Sequence, residues 1–177
     1  MQIGIVLAEP GGPDAIGALA GQLRAAADDG FSSAWLSNIF GLEALTALAA
    51  AGRDVSGIEL GTAVVPTYPR HPAVLAQQAL TTDLAVGGRL TLGIGLSHQI
   101  VIQDMYGYSY EAPARHMREY LAVLLPLLAG EPVAFDGSTI RANIGLSVPR
   151  SARKVPVLLA ALAPRMLRLA GEQADGT

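Results

Sequence analysis

LGTAVVPTYPRHPAVLAQQA, residues 60–79, predicts a strand, an abrupt stop and then a helix. The apolar and β-branched run from Ile58 to Val65 is typical of a strand that is buried on both faces of a sheet. Pro66 and Pro69 lack the backbone N–H group that a strand ladder uses, so we expect the strand to end there. Pro72 suits the first turn of a helix, where no N–H group is needed. The segment therefore predicts one strand–helix unit of an α/β protein.

Four further strand–helix units are predicted around this segment. We expect strands at residues 2–8, 33–37, 89–96 and 155–161, and helices at 13–29, 41–51, 72–86, 114–129 and 164–174. The first strand is expected to be buried, Pro126 to kink its helix or end it early, and residues 133–140 to form a small hairpin. Such an alternation predicts a parallel sheet, either open and doubly wound or closed as a (β/α)8 barrel. Both architectures place the functional site at the carboxyl ends of the strands.

The composition excludes several classes of function. The chain has 177 residues, of which 51% are hydrophobic and 15% charged, as expected for one compact domain. A net charge of -3 gives no electrostatic reason to expect a nucleic-acid partner. No apolar run approaches the ~18 residues that span a bilayer, and three scattered histidines without any cysteine predict no metal site. Without cysteine or a basic leader, we expect a cytoplasmic protein.

Several segments together resemble one family, the luciferase-like monooxygenases. The resemblance is carried by residues 60–78, 87–95, 115–121 and 157–171, in the order in which that family has them. It is closest to the branch that uses the deazaflavin coenzyme F420 rather than flavin mononucleotide (FMN). The resemblance implies a TIM barrel of the (β/α)8 type, of which residues 1–177 would be one domain and the N-terminal part. About five βα units are present, so we expect a partial barrel that a C-terminal segment or a second copy in a homodimer completes.

The resemblance also implies a function. We expect an oxidoreductase that transfers a hydride between coenzyme F420 and a small organic substrate. An FMN-dependent monooxygenase is the enzymatic alternative. A non-catalytic partial barrel or subunit is the alternative from another class.

The cofactor-binding residues follow from the same resemblance. Thr62, Ala63 and Val64 are expected to form a bulge with a non-prolyl cis peptide that backs the cofactor ring, although an ordinary core strand is the alternative. Asn38 ends the second strand, where relatives often carry an acid, and it is either a cofactor contact or a turn former. Ser97 is expected to face the ring. Residues 163–165 (Ala163, Pro164 and Arg165) open a helix without a capping side chain, so they could bind the cofactor phosphate or simply start the helix.

The substrate side is predicted from the segment after the fourth strand. His98 is the candidate catalytic residue because an imidazole can donate or accept a proton near neutral pH, whereas a structural histidine is the alternative. Gln99 is expected to contact the substrate. Tyr106 could belong to a substrate lid or serve only to pack the long loop.

Overall fold

The computed structural model describes all residues from 1 to 177 and has an α/β fold. Its strands are β1 Gly4–Val6, β2 Ser33–Leu36, β3 Glu59–Thr62, β4 Val65–Pro66, β5 Leu90–Gly95, β6 Val133–Asp136, β7 Arg141–Ile144 and β8 Val157–Leu159. Its α-helices are α1 Ala15–Asp28, α2 Ala44–Gly52, α3 Pro72–Ala85, α4 Pro113–Ala129 and α5 Pro164–Gln173. A short π-helix, Val101–Met105, lies between β5 and α4. None of these helices combines the length and the apolar character that crossing a membrane requires.

The main sheet is parallel, and its strands lie side by side in the order in which they occur in the chain. β1 pairs with β2, β2 with β3, and both β3 and β4 with β5, which in turn pairs with β8. β3 and β4 are therefore two halves of one interrupted strand. A doubly wound sheet reverses its strand order at a switch point, whereas a barrel does not. The structure thus confirms the parallel sheet and favours the barrel type over the open sheet.

The last residues of the chain continue this pattern beside β8. The Asp175 N–H group donates to the Val157 carbonyl at 2.9 Å, and the Leu159 N–H group donates to the Gly176 carbonyl at 3.0 Å. Gly176 thereby forms a parallel bridge with Leu158. The segment that follows α5 thus starts to extend the sheet in the same direction.

The core lies between the sheet and the helices that cover one side of it. Successive helices pack against one another, from α1 to α5. Their inward faces bury large apolar side chains, including Leu19, Leu48, Leu75 and Leu124. Each side chain of this kind contributes about 1.5–3 kcal/mol when it is removed from water. This layer holds the carboxyl ends of the strands in a fixed arrangement.

Glu43 connects three elements near those carboxyl ends. Its carboxylate caps α2 by accepting hydrogen bonds from the N–H groups of Leu45 and Thr46. The same carboxylate accepts a hydrogen bond from the Arg70 guanidinium at 2.9 Å and from the Gln78 amide at 2.8 Å. The segment after β4 is therefore fixed to the start of α2 and to α3.

The predicted hairpin is confirmed, and it extends further than expected, to Ile144. Glu119 of α4 holds its turn by accepting hydrogen bonds from Ser138, Thr139 and Ile140. Burial alone would raise the pKa of Glu119. The hydrogen bonds from Thr139 and Ser138 outweigh this effect and lower the pKa to about 2. The hairpin is thus fastened to α4 rather than free.

The structure tests three local predictions, of which one is wrong. The predicted burial of the first strand is the wrong one: β1 is an exposed edge strand, with 65% of Val6 exposed, because only β2 pairs with it, and Ile5 alone of its residues is partly buried against the core. β4 ends at Pro66, as predicted, although Pro66 itself pairs with Gly95 and the Thr67 N–H group still donates to the Gly95 carbonyl at 2.9 Å. Successive N–H groups of a strand point in opposite directions, so the missing N–H group of Pro66 would have faced away from β5. α4 ends at Ala129, as predicted, so Pro126 does not end it early, and Gly130 with its left-handed φ of 82° follows as the C-cap.

Candidate functional site

A cleft of about 230 Å³ opens at the carboxyl ends of β2, β4 and β5. It brings together six of the residues that the sequence predicted for the site: Asn38, Ala63, Val64, Ser97, His98 and Tyr106. Four apolar residues that were not predicted as site residues also line it: Ile39, Phe40, Pro66 and Val101. Ile39 and Phe40 follow Asn38 directly, and an apolar pair just beyond a strand end was the signal that could have found them.

The floor of the cleft is the interruption between β3 and β4. The peptide bond between Ala63 and Val64 is cis, at the place where the resemblance implies a non-prolyl cis bond. Ala63, Val64 and Pro66 present small apolar groups to the cleft. The floor is therefore short, apolar and formed partly by backbone.

Thr62 lies behind this floor rather than in the cleft. It is fully buried, and its hydroxyl donates to the Gly93 carbonyl at 2.8 Å and accepts from the Gly93 N–H group at 2.9 Å. A Cβ atom at position 93 would collide with the Thr62 carbonyl oxygen, so this approach requires a glycine. Thr62 thus replaces ladder hydrogen bonds where the strand is interrupted.

The first wall follows β2. The Asn38 side-chain oxygen accepts a hydrogen bond from the Ala44 N–H group at 3.1 Å, at the start of α2. This contact supports the turn-forming interpretation of Asn38, although the residue also lines the cleft. Ile39 and Phe40 stand beside it with 65% and 63% of their surface exposed. The wall is therefore an apolar rim fixed by one amide side chain.

The second wall follows β5. Ser97 has a left-handed φ of 62°, and its carbonyl accepts a hydrogen bond from the Tyr110 hydroxyl at 3.1 Å. The His98 carbonyl accepts from the N–H groups of Val101 and Ile102, both at 3.0 Å, which starts the π-helix. The His98 side chain is exposed and lines the cleft. The left-handed turn thus redirects the chain and leaves an imidazole at the opening.

A column of aromatic side chains packs between the segment after β4, the segment after β5 and helix α4. It consists of Tyr110, Tyr68, His116 and Tyr120. The rings of Tyr68 and His116 are stacked with centroids 4.0 Å apart, and Tyr110 lies 5.2 Å from Tyr68. His116 also shares a hydrogen bond of 3.2 Å with the Thr67 hydroxyl. The column therefore links the segment after β4 to the segment after β5 through α4.

Burial perturbs the titration of the column. It lowers the pKa of His116 to about 4, although the charge of Glu119 acts in the opposite direction. It also raises the pKa of Tyr68 to about 12, and Tyr110 adds to that rise. At neutral pH the column is therefore uncharged.

Besides Thr62, four predicted site residues lie outside the cleft. Gln99 is exposed, and its amide donates to the Gln103 side-chain oxygen at 2.6 Å. The other three, Ala163, Pro164 and Arg165, open α5. Ala163 gives no side-chain cap, so the structure keeps the uncapped start that the sequence predicted.

Comparison with known proteins gives the same family over the whole chain. A model of the luciferase-like monooxygenase family matches residues 1–177. The 5,10-methylenetetrahydromethanopterin reductase of Methanolobus tindarius is 32% identical over 154 residues, which are 86% of this chain and 47% of that protein. The F420-dependent glucose-6-phosphate dehydrogenase of Beutenbergia cavernae is 37% identical over 138 residues, 75% of this chain and 40% of that protein.

A solved structure supports the fold assignment. The coenzyme F420-dependent tetrahydromethanopterin reductase of Methanopyrus kandleri superimposes with a TM-score of 0.85 and 28% identity. The match covers 99% of this chain and 54% of that chain. The chain thus spans about half the length of the relatives it matches, and its five βα units form part of a TIM-barrel-type fold.

Proposed function

Since the chain belongs to the luciferase-like monooxygenase family, we propose that it carries part of the active site of an oxidoreductase that uses coenzyme F420. Two of the relatives reported above carry F420 in their names, which supports it as the cofactor. The substrate is proposed to be a small organic molecule. The proposal covers the whole enzyme, of which this chain spans the first five βα units.

One observation carries the proposal. Residues that follow three neighbouring strand segments converge on one cleft, with Asn38 after β2, Ala63 and Val64 before β4, and Ser97 and His98 after β5. In barrel enzymes the site is built from the segments at these strand ends. The cleft fits a flat ring, because its floor is apolar and its polar groups stand at the edges.

The residues of the chain have distinct proposed roles. Ala63 and Val64 would support one face of the ring, while Asn38 and Ser97 would contact its polar edge. The uncapped start of α5, with Arg165, would hold the cofactor phosphate through backbone N–H groups and one guanidinium. When bound, F420 supplies a deazaflavin ring that accepts or donates a hydride.

His98 is proposed to exchange a proton with the substrate. Its side chain is exposed at the opening of the cleft, where an imidazole can reach a bound molecule. The left-handed turn at Ser97 and the start of the π-helix fix the backbone on either side of it. The backbone of His98 is thus fixed, while its side chain remains exposed.

Titration with F420 and with FMN tests the proposal. We expect F420 to bind at least about ten-fold more tightly than FMN, as followed by fluorescence. Ser97→Ala should weaken F420 binding, whereas Gln99→Ala should not, because only Ser97 lines the cleft. Tighter binding of FMN would favour the monooxygenase alternative. No binding of either cofactor would favour a non-catalytic subunit.

A further inference from the structure

We infer that a second cavity, separate from the cleft of the candidate site, binds a small neutral ligand that carries several hydroxyl groups. The cavity has a volume of about 550 Å³, and its lining comes from three segments, residues 67–71, 108–116 and 138–140. No residue lines both the cavity and the cleft. The inference therefore goes beyond the proposed function and does not rest on it.

Each of the three segments is fixed by a hydrogen bond to another part of the chain. Arg70 is paired with the Glu43 carboxylate at 2.9 Å, and the Tyr110 hydroxyl donates to the Ser97 carbonyl at 3.1 Å. Glu119 accepts hydrogen bonds from the hairpin turn. The segments also lie near β4 and β5, in the interior of the main sheet between the β1 edge and β8. The walls of the cavity are thus preformed and distant from the free edge of the sheet.

The lining is mostly polar and offers both donors and acceptors. Only three of its twelve residues are hydrophobic. The Glu111 carboxylate is exposed and unpaired, and the Ser109 hydroxyl accepts the Glu111 N–H group at 3.4 Å while its own O–H group has no acceptor. Arg70 uses Nη2 for Glu43, which leaves further N–H groups of its guanidinium as donors. A ligand hydroxyl matches such a lining because it can donate to a carboxylate and accept from a guanidinium.

Two buried polar groups of the lining lack partners within the chain. His116 is 6% exposed, and its Nε2 shares a hydrogen bond of 3.2 Å with the Thr67 hydroxyl, whereas its Nδ1 makes none. The Tyr68 hydroxyl is buried without any partner. A buried polar group without a partner destabilises a fold, so each such group requires an explanation. The hydroxyl groups of a bound ligand would supply the missing partners.

The charges at the cavity favour a neutral ligand over an ion. An anion would face the unpaired carboxylate of Glu111, while the positive charge of Arg70 is already balanced by Glu43. A cation would face the guanidinium of Arg70. A hydroxyl group meets neither repulsion and can bond to both side chains.

Tyr108 adds an aromatic ring to this lining and is 47% exposed. A tyrosine side chain combines an apolar body with a polar tip. A saturated ring with hydroxyl substituents has the same dual character, since its C–H groups are apolar and its edge is polar. The lining therefore fits a polyhydroxylated ring of the size of a monosaccharide.

Four six-membered rings with different substituents test the inference directly. myo-Inositol has a hydroxyl group on every ring carbon, cyclohexanol has a single one, cyclohexylamine is cationic at neutral pH and cyclohexanecarboxylate is anionic. Each is titrated into the chain while the amide resonances of Tyr68, Ser109 and Thr139 are followed by NMR. We expect myo-inositol to bind at least about ten-fold more tightly than the other three rings. Equal or tighter binding of any of them, or no response of these resonances to myo-inositol, would overturn the inference.

A substitution in the lining supplies the second arm. Glu111→Gln keeps the shape of an exposed side chain and replaces a charge-assisted hydrogen bond by a weaker neutral one, so myo-inositol should bind about ten-fold more weakly. Glu172→Gln is the matched control, because Glu172 is exposed on α5 and lies outside the cavity. Equal affinities of the two variants for myo-inositol would contradict the assignment of binding to this cavity.

The amide resonances of Ala63 and Val64 separate the two sites, because these residues line only the cleft. We expect myo-inositol to leave them unchanged. A response of Ala63 and Val64 without one of Ser109 and Thr139 would place the ligand in the cleft and overturn the inference. Binding of myo-inositol at the second cavity supports the inference whether or not F420 binds, so the two ideas fail in different experiments.

Discussion

Thr62 shows how a residue can matter to a cleft that it does not line. Its buried hydroxyl makes both hydrogen bonds with the backbone of Gly93. Thr62→Val keeps the shape but leaves a buried N–H group and a buried carbonyl without partners. Each unsatisfied group costs about 1–3 kcal/mol, so we expect a loss of about 3 kcal/mol in the free energy of unfolding.

Chemical denaturation measures the effect of this substitution. Thr82→Val is the matched control, because Thr82 is also buried but makes one longer hydrogen bond, 3.3 Å, to the Leu45 carbonyl. We expect the control to lose about 1 kcal/mol. Equal losses in the two variants would contradict the bridging role of Thr62.

His116 makes the stability of the fold sensitive to acid. Its pKa is about 6.5 in the unfolded chain and is lowered to about 4 by burial in the folded state. The stabilisation linked to this shift is complete above pH 6.5 and is lost as the pH falls towards 4. A shift of this size corresponds to about 3 kcal/mol. His116→Phe keeps a ring against Tyr68 and removes the titrating group.

Denaturation across this pH range tests the assignment. We expect His116→Phe to flatten the slope of stability against pH, at the cost of about 1 kcal/mol at neutral pH for the lost bond with Thr67. His98→Phe serves as the comparison, because it makes the same replacement at an exposed histidine. A slope that survives in His116→Phe would assign the acid sensitivity to other groups.

At the scale of elements, Tyr110 holds the segment between β5 and α4 in place through its contacts with Ser97 and Tyr68. Tyr110→Phe keeps the contact with Tyr68 and removes the hydrogen bond to the Ser97 carbonyl. We expect a small loss of stability, about 1 kcal/mol, together with a clear change in the NMR resonances of Ser97 and His98. Under the proposed function, Tyr110→Phe should bind F420 more weakly, whereas Tyr108→Phe should keep its affinity for F420. Unchanged His98 resonances in Tyr110→Phe would contradict this support.

The sequence predicted the elements better than the contacts between them. The strand–helix alternation and the position of α3 followed from periodicity and from Pro72, because these signals are local. The burial of β1 could not be predicted, since Gly4–Val6 is apolar whether or not another layer covers it. The hydrogen bond from Tyr110 to Ser97 joins residues 13 positions apart and depends on the left-handed turn at Ser97.

The residues predicted for the candidate site also fall into two groups, those that line the cleft and those that do not. The resemblance led to Ala63, Val64, Ser97 and His98, which the structure brings into one cleft. It also led to Thr62 and Gln99, whose side chains bond to Gly93 and Gln103 instead. Thr62 is the last residue of β3 and is fully buried, whereas Ala63 and Val64 lie in the interruption between β3 and β4 and line the cleft.

For the whole molecule, the free edge of β1 is the feature that we expect to govern association with other chains. β1 pairs with β2 on one side and leaves its other backbone groups unpaired, with Val6 65% exposed beside them. An exposed apolar edge of this kind is a template for pairing with another chain. We therefore expect the chain alone to associate beyond the 18.3 kDa monomer.

Val6→Lys tests this expectation, because a lysine on an edge strand opposes pairing with another strand. Light scattering after size-exclusion chromatography should show a shift towards the monomer and a molar mass that no longer depends on protein concentration. Chemical denaturation should show at most a small change in stability. Val74→Lys adds the same charge at an exposed position on α3 and should leave association unchanged, since no strand edge lies there. A monomer at every concentration in the unmodified chain would contradict the role of β1. Equal effects of the two lysines would assign the change to net charge rather than to the edge.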